Sequence, residues 1–244
     1  MLALPKILRE SFFYPGDGNG GKKMNTQSGK NSLTPGMKGR STWFTTRKMT
    51  SIAILSALAF VLMLMEFLPP FVPEFLKLDF SEIPVLIGAF AFGPLSAVMI
   101  ELIKNLLHLT VTQTAGVGEL ANFLIGSFFA GSAGLVYRYM KNRKGAILAM
   151  AVGVLVMTTA ASLLNYYILI DIYARFWTMD AIIGMGTAVN SRITDKGSLI
   201  IWAFIPFNIV KATAVSVITG LIYKPLSPIL HGKHSREEAK NRVS

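Results

Sequence analysis

The run GAILAMAVGVLVMTTAASLLNYYILI, residues 145–170, carries no charged side chain and a single amide, Asn165. A hydrocarbon core about 30 Å thick needs roughly 20 helical residues to cross it, so this run crosses with residues to spare. Its flanks have the same character. Toward the N-terminus lie apolar stretches at 118–139, 94–111, 84–92 and 51–68, and toward the C-terminus one at 199–223. The stretch 84–92 is too short to span alone and reads as a partial or tilted helix, set off from the next by Gly93–Pro94. Asp79 with Glu82 three residues later suggests a cap for that short helix. The expectation is an all-α integral membrane protein: a six-helix transmembrane bundle with a short second helix.

Composition supports lipid as the main solvent. Only 15% of residues are charged, against about 25% in average soluble domains. The net charge of +11 would suit a nucleic-acid binder, but its placement argues otherwise. Arg47 and Lys48 precede the first span. Arg138, Lys141, Arg143 and Lys144 separate the fourth from the fifth, and Lys224, Lys233, Arg236, Lys240 and Arg242 follow the sixth. With six spans all three clusters fall on one side, which the positive-inside rule makes cytoplasmic. Both termini are therefore expected in the cytoplasm and the chain in the plasma membrane. The absence of cysteine excludes disulfides and thiolate metal sites.

Residues 1–48 are rich in Gly, Lys, Ser, Thr and Asn and lack apolar periodicity, so a basic, disordered tail is expected there. They do not have the layout of a signal peptide, and Met24, Met37 and Met49 are alternative starts. The membrane domain is expected at 49–226 and a second basic tail at 227–244.

Ionisable groups within a bilayer are costly and mostly face a cavity or a partner. The third span places Glu101, Lys104, Asn105 and His108 on one stripe; the fourth carries Glu119 and Asn122, the fifth Asn165, and the sixth Asn208 and Lys211. With the orientation above, four spans bring these groups to the outer half, while the inner half is nearly all apolar. A channel would need polar groups through its full depth. One outward-facing pocket for a small, partly polar molecule fits better. Glu101 and Lys104 have the alternative of neutralising one another, and a lone His108 reads as structural rather than as a metal ligand. No acid lies on the sixth span to pair with Lys211, which favours a binding role. The link LPPFVPEFLKLDFS, residues 68–81, is held out of helix by three prolines and carries Phe71, Phe75 and Phe80. It reads either as an interfacial aromatic anchor or as a lid. Ala53 and Ala57 give the first span a small-residue strip that lets another helix come close.

The runs LKLDFSEIPVLIGAFAFGP, IELIKNLLH and FNIVKA, taken in that order, resemble the riboflavin-binding S components of energy-coupling factor (ECF) vitamin transporters over about residues 49–226. The resemblance implies a six-helix S component that captures riboflavin from outside with high affinity. It implies a shared module as partner, made of a membrane coupling protein and two cytoplasmic ATPases that use the ATP. It also implies flavin contacts at Asn165, Asn208 and Lys211, and a coupling-protein contact at Ala53 and Ala57. With Lys104, Glu119 and Asn122 of the polar stripes and Leu78, Asp79 and Phe80 of the link, these are the expected substrate-binding and partner-interface residues. No catalytic residue, metal or cofactor is expected, in keeping with the lack of a phosphate-binding Gly-rich loop. An S component for another vitamin remains open, as does an ion-coupled secondary transporter, although no repeated halves are evident.

Overall fold

The computed structural model describes residues 46–231, with side chains for 46 and 48–222. The expected tails at 1–48 and 227–244 therefore lie almost wholly outside the described residues. By contacts the chain divides into Met1–Thr50 and Ser51–Ser244. The described part of the first unit is the opening turn of a helix; the bundle and its cavity belong to the second.

Helix α1, Thr46–Leu64, matches the first apolar stretch but ends before Leu68. The residue preceding a proline avoids the helical region, and Leu68 precedes Pro69–Pro70. The chain turns there and folds back, so that Phe67 and Leu78 exchange backbone hydrogen bonds, each 2.9 Å. Helix α2, Glu82–Phe92, and helix α3, Pro94–His108, are separated by Gly93 at φ 92°. That dihedral suits glycine, and Pro94 then starts α3 at a position whose N–H has no helical partner anyway. A short 3₁₀ turn, Leu109–Val111, prolongs α3. The expected cap at Asp79 and Glu82 does not form. Ser81 holds the N-cap position without a side-chain bond, and both carboxylates are drawn to buried ammonium groups instead.

Helix α4, Val117–Tyr139, and helix α5, Arg143–Leu164, form an antiparallel pair joined by a tight turn in which Asn142 Oδ1 accepts the Gly145 N–H at 2.7 Å. A π turn, Asn165–Leu169, carries α5 into α6, Ile170–Tyr173, giving one apolar rod over Arg143–Tyr173. The link 171–198 had no expected structure; it holds helix α7, Met179–Val189. Thr178 caps it and Ile182 and Gly186 bury one side, a signal obscured by the glycines in so short a run. Helix α8, Lys196–Leu199, opens with a capping box between Asp195 and Ser198. It passes through a second π turn, Ile200–Phe204, into α9, Ile205–His231.

Among the described residues four rods are long and apolar enough to cross a membrane: Pro94–Val111, Val117–Tyr139, Arg143–Tyr173 and Lys196–Ile222. Lys48–Leu64, Glu82–Phe92 and Met179–Val189 are shorter. The rods' outer surfaces are apolar, with Leu102, Ile147, Leu155, Val217 and Leu221 exposed, as lipid contact requires.

Two apolar clusters hold the bundle. One joins Leu86, Ile100, Phe129, Met157 and Val215 with alanines 89, 97, 130, 133, 149, 161 and 212. Between membrane helices, small residues permit the close packing that takes the place of a hydrophobic drive. The other joins the link, α6, α7 and the start of the last rod through Val72, Leu78, Val117, Tyr173, Ile193 and Phe204. Gly134 shows how close the approach is: a Cβ there would sit 3.1 Å from Ala89 Cβ and 3.2 Å from Pro94 Cα. Because the second neighbour is backbone, Gly134→Leu is expected to destabilise the protein by about 1–3 kcal/mol, the usual range for overpacking. A lowered melting temperature of the detergent-purified variant checks this.

Candidate substrate cavity

The end of the bundle where α3, α5 and α6 finish and α4 and α9 begin surrounds an open cavity; its empty space, including solvent at the mouth, is about 900 Å³. One wall is aromatic. Phe75 of the link lies with its ring centre 6.2 Å from Tyr173 and 5.8 Å from Phe204, and Tyr173 stacks on Trp177 at 5.8 Å. Phe207, Met63, Leu76, Ile125 and Met157 complete the apolar lining.

The polar lining is specific in its placement. Asn165 and Asn208 are both buried on the cavity. Each turns its amide nitrogen back onto its own helix, to the carbonyls of Ala161 and Phe204, both at 2.8 Å. Asn165 opens the first π turn, and Phe204 closes the second. Such turns are frequent at functional sites because they shift side-chain register within a continuous helix. Glu119 is held on three sides: by His108 Nδ1 at 2.9 Å, Thr112 Oγ1 at 2.9 Å and Thr114 Oγ1 at 3.2 Å. At the mouth, Lys77 of the link donates to Glu66 and, at 2.8 Å, to Gln113, tying the link to the turn before α4.

Lys211 has a partner, contrary to the expectation from the sixth span alone. Its Nζ donates to Asp79 Oδ2 at 2.8 Å, and Asp79 Oδ1 accepts the Ser81 N–H at 2.8 Å. Burial alone would push the Asp79 carboxyl up; the ammonium groups of Lys211 and Lys104 outweigh it and hold it down at about 2. The acid that meets Lys211 thus stands in the link rather than on any helix.

Of the expected substrate-binding residues, Asn165, Asn208, Lys211, Glu119, Asn122 and Asp79 line the cavity together. Lys104, Leu78 and Phe80 are not in its lining. Lys104 is fully enclosed between Ser81, Glu82 and Glu101. Leu78 belongs to the apolar cluster under the link, and Phe80 packs on Phe67. Phe75 faces the cavity while Phe71 is exposed. Glu66, Lys77, Gln113, Thr114 and Tyr173 also line it, beyond the residues expected from the sequence. The only sequence sign of them is the polar composition of the turn at 112–114. Ala53 and Ala57 lie apart from the cavity, both exposed on α1.

The family model described as ECF transporter, substrate-specific component, matches residues 47–223. The chain belongs to that family. This S component is 34% identical to the riboflavin transporter RibU of Staphylococcus aureus (strain TCH60), over 87% of this chain and 98% of the relative. It is 32% identical to the riboflavin transporter FmnP of Bacillus subtilis (strain 168), over 78% of this chain and 96% of that one. It also superposes on a solved S component of a bacterial ECF transporter with a TM-score of 0.61 and 33% identity, covering 76% of this chain and 98% of that one. This S component is therefore a membrane transport subunit and not an enzyme.

The Asp79–Lys211 pair makes a stability prediction. Breaking a buried pair by removing one partner costs about 3–5 kcal/mol because a charge is left behind. Lys211→Met should lower the melting temperature clearly, toward the small end of that range because both groups face the cavity. Adding Asp79→Asn should restore much of it. Thermal unfolding of the single and double variants in the same detergent checks the order.

Proposed function

We propose that this S component captures riboflavin from the outer face of the plasma membrane for ATP-driven uptake. The observation that carries the reading is a cavity whose lining combines an aromatic wall with two asparagines and a lysine held at fixed positions. Riboflavin presents a flat tricyclic ring, an imide-like N–H flanked by carbonyls, and a chain of hydroxyls. Asparagine side chains both donate and accept, which suits the imide edge, and an ammonium donates to a carbonyl. Asn165, Asn208 and Lys211 are the proposed ring-edge contacts, Phe75 and Tyr173 the proposed ring wall, and Glu119 and Asn122 the proposed hydroxyl partners. The riboflavin transporters among its relatives support the same ligand. The link that carries Phe75 is read as the cover over the bound vitamin.

The partners follow from the family and from the surface of α1. This S component is read as docking a membrane coupling protein through the exposed Ala53 and Ala57, with two cytoplasmic ATPases supplying the energy. The basic residues of the α4–α5 turn support an orientation with both termini in the cytoplasm.

Capture needs no nucleotide on this reading. The purified protein should quench riboflavin fluorescence at about one equivalent in the absence of ATP, and no quenching at micromolar ligand would refute the assignment. Ala53→Leu/Ala57→Leu should abolish vitamin uptake by cells while leaving that quenching unchanged, because bulky residues block close helix approach on a face remote from the cavity. Loss of binding in the purified double variant would count against the division of roles.

A further inference from the structure

The cavity accounts for Lys211 but not for the charged cluster behind its wall. Lys104, Ser81, Glu82 and Glu101 have essentially no exposure, and none of them lines the cavity. An ammonium in a low-dielectric interior is costly unless paired and hydrogen-bonded. Lys104 meets that condition: its Nζ lies 2.8 Å from Glu82 Oε1 and 3.0 Å from Glu101 Oε1. Gly126 of α4 lies against the Glu101 carboxylate, where a Cβ would come within 2.7 Å of Cδ, so the backbone of α4 presses that carboxylate against the lysine.

Charge pairing alone does not call for the third contact, in which Lys104 Nζ donates to Ser81 Oγ at 2.8 Å. Ser81 is the last link residue before α2. Its N–H holds Asp79 Oδ1, and Asp79 Oδ2 holds Lys211, each at 2.8 Å. A continuous, buried chain of contacts thus runs from α3, through the end of the link, to α9. A lysine ammonium on its flexible four-carbon stem keeps one position on a wall only if something anchors it. Its anchor, Asp79, stands on a proline-rich link rather than on a helix, and so needs an anchor of its own.

We infer that Lys104 is a positioning residue for ligand capture: without touching the cavity, it fixes Ser81 and Glu82 so that Asp79 holds the Lys211 ammonium at the cavity wall. The inference rests on the reading of Lys211 as a flavin contact.

Riboflavin titration of full-length, detergent-purified protein, expressed per folded molecule, tests it through a cycle of variants. Lys104→Met should weaken binding at least tenfold in the otherwise unchanged chain. In the Asp79→Asn/Lys211→Met background it should weaken binding less than threefold, because the amine that it positions is gone and coupled residues are not additive. An equal loss in both backgrounds would overturn the inference and assign Lys104 to general support of the bundle. So would no loss in the unchanged chain. Should Lys104→Met fail to fold, Ser81→Ala removes only the hydroxyl acceptor and carries the same cycle: a several-fold loss confined to the unchanged background supports the inference, and any other pattern overturns it. Unaltered affinity of Asp79→Asn/Lys211→Met itself would remove the role of Lys211 and this inference with it, leaving riboflavin capture standing.

Discussion

A charge inside a membrane bundle has to meet its opposite, and the arrangement of this protein follows from how its two enclosed lysines do so. Lys104 is met by Glu82 and Glu101, and Lys211 by Asp79. Glu101 pairs with Lys104 within α3, whereas the Lys104–Glu82 and Lys211–Asp79 pairs each join two elements. Glu82 stands in the first turn of α2 and Lys104 in the middle of α3, so the corner at Gly93 is closed by an ion pair as well as by packing. Asp79 and Lys211 tie the link to α9. Removing the partner of a buried ion costs about 3–5 kcal/mol, comparable to truncating a large buried apolar side chain, so these pairs act with the alanine-rich interfaces in holding the helices together.

The cavity exists because the rods are irregular in the right places. Two π turns interrupt otherwise continuous helices, one beginning at Asn165 and one ending at Phe204. Near each, an asparagine is bonded to the carbonyl four residues back and held rigidly on the cavity. Groups fixed to helices lose little freedom when a ligand arrives, which favours tight binding. The proposed cover is built differently. The link is proline-rich, crossed by one short backbone bridge, and fastened by Lys77 at the rim, Phe75 on the aromatic wall, Asp79 on Lys211 and the buried Val72, Leu76 and Leu78.

The polar stripe of α3 divides between two tasks. His108, near its end, turns to Glu119 at the cavity, while Glu101, Lys104 and Asn105, one and two turns earlier, serve the interior. Helical period put all four residues on the same face and had no means of separating them. What distinguishes them is position along the rod relative to the cavity, whose lining includes His108 but not Glu101, Lys104 or Asn105.

Much of the fold was legible in the chain itself. Runs of apolar residues long enough to cross a bilayer, punctuated by Gly93–Pro94 and the basic turn at 141–144, determined the rods because lipid leaves the backbone no alternative to helix. The spacing of Asn165, Asn208, Lys211 and Glu119 likewise determined that polar groups gather at one end. Tertiary structure alone decided which of them meet. Lys211 and Asp79 are 132 positions apart, and no periodicity relates a residue in an irregular link to one on the last helix. Helix α7, the π turns and the burial of Lys104 away from the cavity depended in the same way on neighbours. Period along one helix determines a face, but the partner of that face is chosen by the packing of all the helices together.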